Sequence, residues 1–195
     1  MTCETSPMRR AVSSIVLAFG LVAAVPGNAL AAAAEPVKGK EVCKISDKRL
    51  DELSGIAAVK DGYYVINDST DDPEALGVFK LDGKCKVVGQ IEYAGTPVDT
   101  EDLVLSPDGN TLFVGDIGDN ERKREQIGIY KIDLTADDPK PVYYRMTFPG
   151  KDAFNAEALL INGDGTPIVV TKEAAVSHFW SPPPRSPRAR RTSSS

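Results

Sequence analysis

The sequence predicts an all-β fold, arranged as a β-propeller-like array of short antiparallel units. Three observations carry that prediction. A hairpin of the form apolar strand, Asp-Gly, apolar strand occurs three times. Two more strand candidates follow each of the first two hairpins. No segment has the apolar period of a good helix, although Asp47–Leu53 has room for one turn.

The first hairpin runs from Leu53–Val59 through Asp61-Gly62 to Tyr63–Asp68. The second runs from Thr100–Leu105 through Asp108-Gly109 to Thr111–Asp116. The third runs from Ala156–Ile161 through Asp164-Gly165 to Pro167–Lys172. Asp-Gly between apolar runs signals a tight turn, because glycine accepts positive φ at no steric cost. The predicted hairpin strands are 54–59, 63–67, 102–106, 111–115, 157–161 and 167–171. Equivalent positions are Gly55, Asp102 and Ala158, spaced by 47 and 56 residues.

Between the hairpins lie Leu76–Leu81 with Lys86–Tyr93, and Gln126–Leu134 with Val142–Phe148. Four strands in a period of about 50 residues is the pattern of propeller blades. A β-sandwich of the same strands is the alternative. The chain holds two full blades and the first hairpin of a third, so the propeller is expected to be incomplete. Glu41–Ser46 reads as an outer strand of a further blade.

The two ends differ from this body. Residues 1–34 read as a secretory signal peptide. Arg9 and Arg10 precede an uncharged apolar run, Ala11–Val25; Pro26 and Gly27 break it, and Ala29-Leu30-Ala31 offers a cleavage site. The run is short for a membrane span, which needs about 20 residues, so no integral membrane segment is expected after cleavage. A retained N-terminal anchor is the other reading. Residues 177–195 read as a disordered Ser/Pro/Arg tail. Its composition changes abruptly near Val176, as in a gene read out of frame; a genuine basic tail is the alternative.

Residues 35–176 contain 17 Lys and Arg against 27 Asp and Glu, a formal charge of −10. Such an acidic body argues against nucleic acid and anionic membrane surfaces as partners. Cys43 and Cys85 remain after the signal. In an exported chain two cysteines most simply form one disulfide, with two free thiols as the alternative.

The segments ELSGIA, YYVINDS, DTEDLVLSPDG, LFVGDIGDN, NAEALLI and IVVTKE resemble secreted bacterial β-propellers of the six-bladed group with phytase-like or esterase-like repeats. The resemblance covers about residues 41–175, the N-terminal half of such a protein. It implies six blades in all, and a cysteine pair placed like Cys43 and Cys85.

Hairpin geometry brings each first-strand start and second-strand end to one rim. Ser54, Glu101, Asp102 and Glu157 sit at the starts. Asn67, Asp68, Asp116, Thr171, Lys172 and Glu173 sit at or just past the ends, and Asp71, Asp72, Asp119 and Asn120 lie in the loops beyond. Crowded carboxylates repel unless a cation or hydrogen bonds compensate them. Hard oxygen donors in this number suit Ca²⁺. Glu101, Asp102, Asp116, Asp119 and Glu157 are therefore the candidate metal ligands. Asn67, Asp68, Lys172 and Glu173 are the candidate ligand-binding residues. Turn chemistry is the competing reading for the acidic loops, above all for Asp119 and Asn120.

Other chemistries are excluded more firmly. His178 is the chain's one histidine and lies at the edge of the tail, so the body has no Ser-His-Asp triad and no histidine zinc site. Asp68–Asp72 lacks the glycine and closing glutamate of an EF-hand loop. Arg122, Lys123 and Arg124 suggest either an anion site or a solvated loop. Tyr63, Tyr64, Tyr143 and Tyr144 read as packing. The functional expectation is an exported, truncated binding or scaffold module for a small-molecule or cell-surface ligand, monomeric in its full-length form. A calcium-dependent esterase or phosphoesterase using metal-bound water is the second reading. A non-functional product of a disrupted gene is the third.

Overall fold

The computed structural model describes residues 36–150 and 152–182. The signal-peptide reading, and the tail from residue 183 on, lie outside the described residues. Every strand belongs to the compact unit that starts at Lys40.

The fold is all-β, as expected. The first sheet contains β1 (Leu53–Val59), β2 (Gly62–Asn67), β3 (Val78–Asp82) and β4 (Val87–Ile91), in that spatial order. The second contains β5 (Thr100–Leu105), β6 (Thr111–Asp116), β7 (Ile127–Asp133) and β8 (Val142–Met146), also in order. The third contains β9 (Ala156–Ile161), β10 (Pro167–Thr171) and the two-residue β11 (Phe179–Trp180). All pairings are antiparallel. β11 lies inside the segment whose composition marks it as tail. Two details differ from the sequence reading. Glu41–Ser46 forms no strand; Cys43 and Ile45 instead pack across the face of the first sheet. Among the described residues the single helical turn is a 3-10 turn at Pro73–Ala75, not at Asp47–Leu53, and it is capped by Asp72, which accepts from the Glu74 amide at 2.9 Å.

The turns follow the chemistry of their residues. Gly109 and Gly165 have φ of 74° and 80°, which glycine adopts without a Cβ clash. Asp108 and Asp164 accept from the amides of Asn110 and Thr166 two residues on. These aspartates are structural.

The sheets stack face on face. Ala57, Tyr64, Ile66 and Val78 meet Leu103, Leu112, Val114, Tyr130 and Ile132 between the first and second. Phe113, Ile127, Ile129 and Phe148 meet Ala156, Leu159 and Val169 between the second and third. On its other face the first sheet buries Val65, Phe79 and Leu81 beneath Leu50, Cys43 and Ile45. The Cys43–Cys85 disulfide ties that cover down across a Cα separation of 5.8 Å. Tyr130 stacks on Tyr93 and packs at a tilt against Tyr143, each with ring centroids 4.6 Å apart, so Tyr143 is a packing residue as expected. Among the described residues no helix is long and apolar enough to cross a membrane.

Candidate functional site

Each inner hairpin contains one register irregularity, at the same place in the repeat. In β1 the pairing steps from Leu53↔Asn67 to Gly55↔Ile66, leaving Ser54 without an opposite residue. In β5 it steps from Thr100↔Asp116 to Asp102↔Gly115, leaving Glu101. In β9 it steps from Ala156↔Thr171 to Ala158↔Val170, leaving Glu157. A bulge places two residues opposite one and re-aims the extra side chain. The three extra residues converge: Ser54, Glu101 and Glu157 line one open pocket of about 360 Å³, together with Glu52, Leu53 and Asp68.

The centre of this pocket is acidic. Oxygens of Asp68, Asp99 and Glu101 lie within 4.8 Å of one another. Glu101 is only 8% exposed, and among the described residues no donor reaches its carboxylate. Burial pushes its pKa up to about 8, and the charges of Glu157, Asp68 and Asp99 add to the effect. Asp99 is also pushed up, first by burial and then by a hydrogen bond and charge repulsion from Asp68. Asp68 accepts from the Ser69 amide at 2.5 Å. Gly118 closes one side: a Cβ there would run into the carboxylates of Glu101 and Asp99. Lys172 stands at the rim, and its Nζ donates to Glu157 at 3.0 Å, which raises the Lys172 pKa.

The structure thus brings together Asp68, Glu101 and Glu157 with Lys172, and adds Asp99, which sequence reasoning missed. A signal was present: Asp99 and Glu101 are two apart, the spacing that returns to one face of an extended chain.

The other candidates are engaged elsewhere. Asp102 accepts from the Leu103 and Leu159 amides, both at 2.8 Å, and so staples the second sheet to the third. Asp116 is 1% exposed and accepts from the Val98 and Asp99 amides, Arg124 Nη2 and the Tyr143 hydroxyl. Asp119 accepts from the amides of Lys123 and Arg124, which is turn chemistry. Asn67 is buried; its side-chain amide donates to the Arg49 and Ala75 carbonyls, and its backbone carbonyl accepts from Thr100 Oγ1. Glu173 pairs with Arg122 at 2.7 Å, and Asn120 accepts from Asn155. Arg124 donates to Gly118 O and to Asp116, and Lys123 pairs with Glu121, so the basic triplet has carboxylate partners of its own.

No protein-family model matches the chain, and no curated protein matches it. Among solved structures, hydrazine synthase of Kuenenia stuttgartiensis is a distant neighbour, with a TM-score of 0.44 and 17% identity. That match covers 66% of this chain, and the chain spans about a third (34%) of that protein's length.

Proposed function

We propose that this chain is the N-terminal part of an exported, six-bladed β-propeller of the phytase-like or esterase-like repeat group. In this reading its bulge-lined rim pocket binds calcium and is used for binding rather than hydrolysis. The observation that carries the calcium reading is Glu101, at 8% exposure, reached by no donor among the described residues, and set within 4.8 Å of two further carboxylates. A carboxylate crowded by like charges at the mouth of an open pocket costs the fold about 1–2 kcal/mol at neutral pH, and a divalent cation removes that cost. Asp68, Asp99 and Glu101 would supply the ligand oxygens, with Ser54 and Glu157 in the next layer. Calcium fits this set better than zinc, since every donor is a hard oxygen.

The binding reading is favoured over the hydrolase because the pocket's one neighbouring cation, Lys172, is already neutralised by Glu157. An anionic ester would find no free positive side chain there among the described residues. Thermal melting of the full chain tests the metal: millimolar Ca²⁺ should raise Tm relative to chelator, and Mg²⁺ should do so less. Identical melting curves in calcium and chelator would leave the carboxylates as solubility and turn residues.

A further inference from the structure

The turn between β9 and β10 reads Asn162-Gly163-Asp164-Gly165. Most of its polar groups are engaged. The Asn162 backbone amide donates to Thr166 O, and the Asn162 backbone carbonyl accepts from the Gly165 amide, both at 2.9 Å. Asp164 accepts from the Thr166 amide at 3.0 Å. Two neighbouring groups are left over. The exposed Asn162 carboxamide makes no hydrogen bond among the described residues, and the Gly163 N–H meets no acceptor among them. The space around Gly163 is open, since a Cβ built there would meet nothing within 4 Å.

The other asparagines of the described residues differ. Asn67 and Asn155 are buried, and their carboxamides are hydrogen-bonded. The Asn110 carboxamide donates to Asp108, and the amide that follows it, that of Thr111, donates to Ser106 Oγ. Asn120 accepts from Asn155, and a glutamate follows it. The repeat sharpens the contrast. Where the third hairpin has Asn162-Gly163, the second has Ser106-Pro107 and the first has Val59-Lys60. Ser106 Oγ donates to Asp108 and accepts from the Thr111 amide, and Pro107 has no N–H. The third turn alone sets a free carboxamide beside a free glycine amide.

We propose that Asn162 is a site of spontaneous deamidation through a cyclic imide. The Gly163 nitrogen, having lost its proton to hydroxide, attacks Cγ of the Asn162 side chain. That N–C bond closes a succinimide ring. The Cγ–Nδ2 bond breaks, and the nitrogen takes up a proton and leaves as ammonia. Water then opens the ring. Addition at Cγ gives aspartate; addition at the former main-chain carbonyl gives isoaspartate, with the chain running through Cγ. In both cases carboxamide and water become carboxylate and ammonium, with no change of oxidation state. Glycine suits the attack because it carries no Cβ to crowd the ring. The exposed tip gives water free access. Each event adds a negative charge, and isoaspartate also moves the acceptor of the Gly165 amide off the main chain.

Peptide mapping by mass spectrometry tests this on the full chain, held folded in mildly alkaline buffer made with oxygen-18 water. Asn162 should convert about tenfold faster than Asn110 or Asn120 in the same sample, because neither of those is followed by glycine. The product should carry heavy oxygen and contain isoaspartate, which an isoaspartate methyltransferase labels. In G163P conversion should stop, since proline has no N–H, and Pro107 occupies the corresponding place in the second turn. If G163P misfolds by circular dichroism, G163A fits the open space and should slow conversion about tenfold. A folded chain that stays intact while its urea-unfolded form converts overturns the proposal, because the hairpin then protects the pair. So does undiminished conversion in G163P, or a product without isoaspartate, since either means direct hydrolysis.

Discussion

Replacing Glu101 by Gln separates the two roles its carboxylate could have. In the metal-free protein the carboxylate is held in a crowded acidic pocket with its pKa raised from 4.5 to about 8. The sign follows from linkage. Below pH 4.5 the group is protonated whether the chain is folded or not, and it costs nothing. Between 4.5 and about 8 the unfolded chain ionises freely while the folded chain keeps its proton, so stability falls as pH rises. Above about 8 the loss is complete and the curve levels. At pH 7 a shift of this size is worth about 3 kcal/mol unscreened, and the open mouth of the pocket reduces that to about 1–2 kcal/mol.

E101Q should therefore be more stable than the parent by about 1–2 kcal/mol at pH 7 in chelator, and equal to it near pH 4. Urea unfolding followed by far-UV circular dichroism at several pH values gives both curves. Other carboxylates titrate in both proteins, so the difference isolates Glu101 and its coupling to Asp99 and Asp68. Calcium should reverse the order. The parent gains about 2.7 kcal/mol at a hundredfold excess over Kd, while the variant, short of one ligand charge, gains little. Parallel stability curves for parent and variant across pH 4–8 would refute the crowded-carboxylate argument. An equal calcium increment in both would refute Glu101 as a ligand.

Three further outcomes are expected. G118A should lose the calcium increment while keeping the β-sheet circular dichroism of the parent, because the new methyl group enters the space of the Glu101 and Asp99 carboxylates. C43S/C85S should lower stability by about 3–4 kcal/mol in chemical unfolding, the chain-entropy value for a bridge closing a separation of 42 residues. D116A should destabilise by about 3–5 kcal/mol and fold poorly if at all, since it leaves Arg124 and the Tyr143 hydroxyl without their buried acceptor, whereas D119A, on a turn, should cost about 1 kcal/mol.

The strands were legible because they obey local rules. Alternation, β-branched runs and Asp-Gly turns place all six hairpin strands within one or two residues of where they lie. Gly55, Asp102 and Ala158 emerge at equivalent ladder positions because the repeat preserves register. The N-terminal cover was misread for a related reason. Glu41–Ser46 has the composition of a strand, but Cys43 is bonded to Cys85 and the segment is drawn across the sheet face. No local pattern distinguishes a segment that extends a ladder from one that lies over it.

The site was legible only in part, and the bulge explains the division. Hairpin geometry alone sends the acidic residues of a rim to one end of the sheets, which is why Glu101, Asp102, Asp116 and Glu157 stood as equals in the sequence. One extra residue per inner strand then sorts them. Glu101 and Glu157 are the residues without a cross-strand partner, so their side chains are turned into the pocket. Asp102, one residue on, resumes the ladder, and its carboxylate meets a backbone amide of the next sheet instead. Asp116 closes the ladder opposite Thr100 and is held by four donors. Carboxylates with filled acceptor sites hold the fold, and Glu101, which no donor among the described residues reaches, is the place where a cation gains most. A bulge leaves little trace in composition or period, so this assignment required the pairing register.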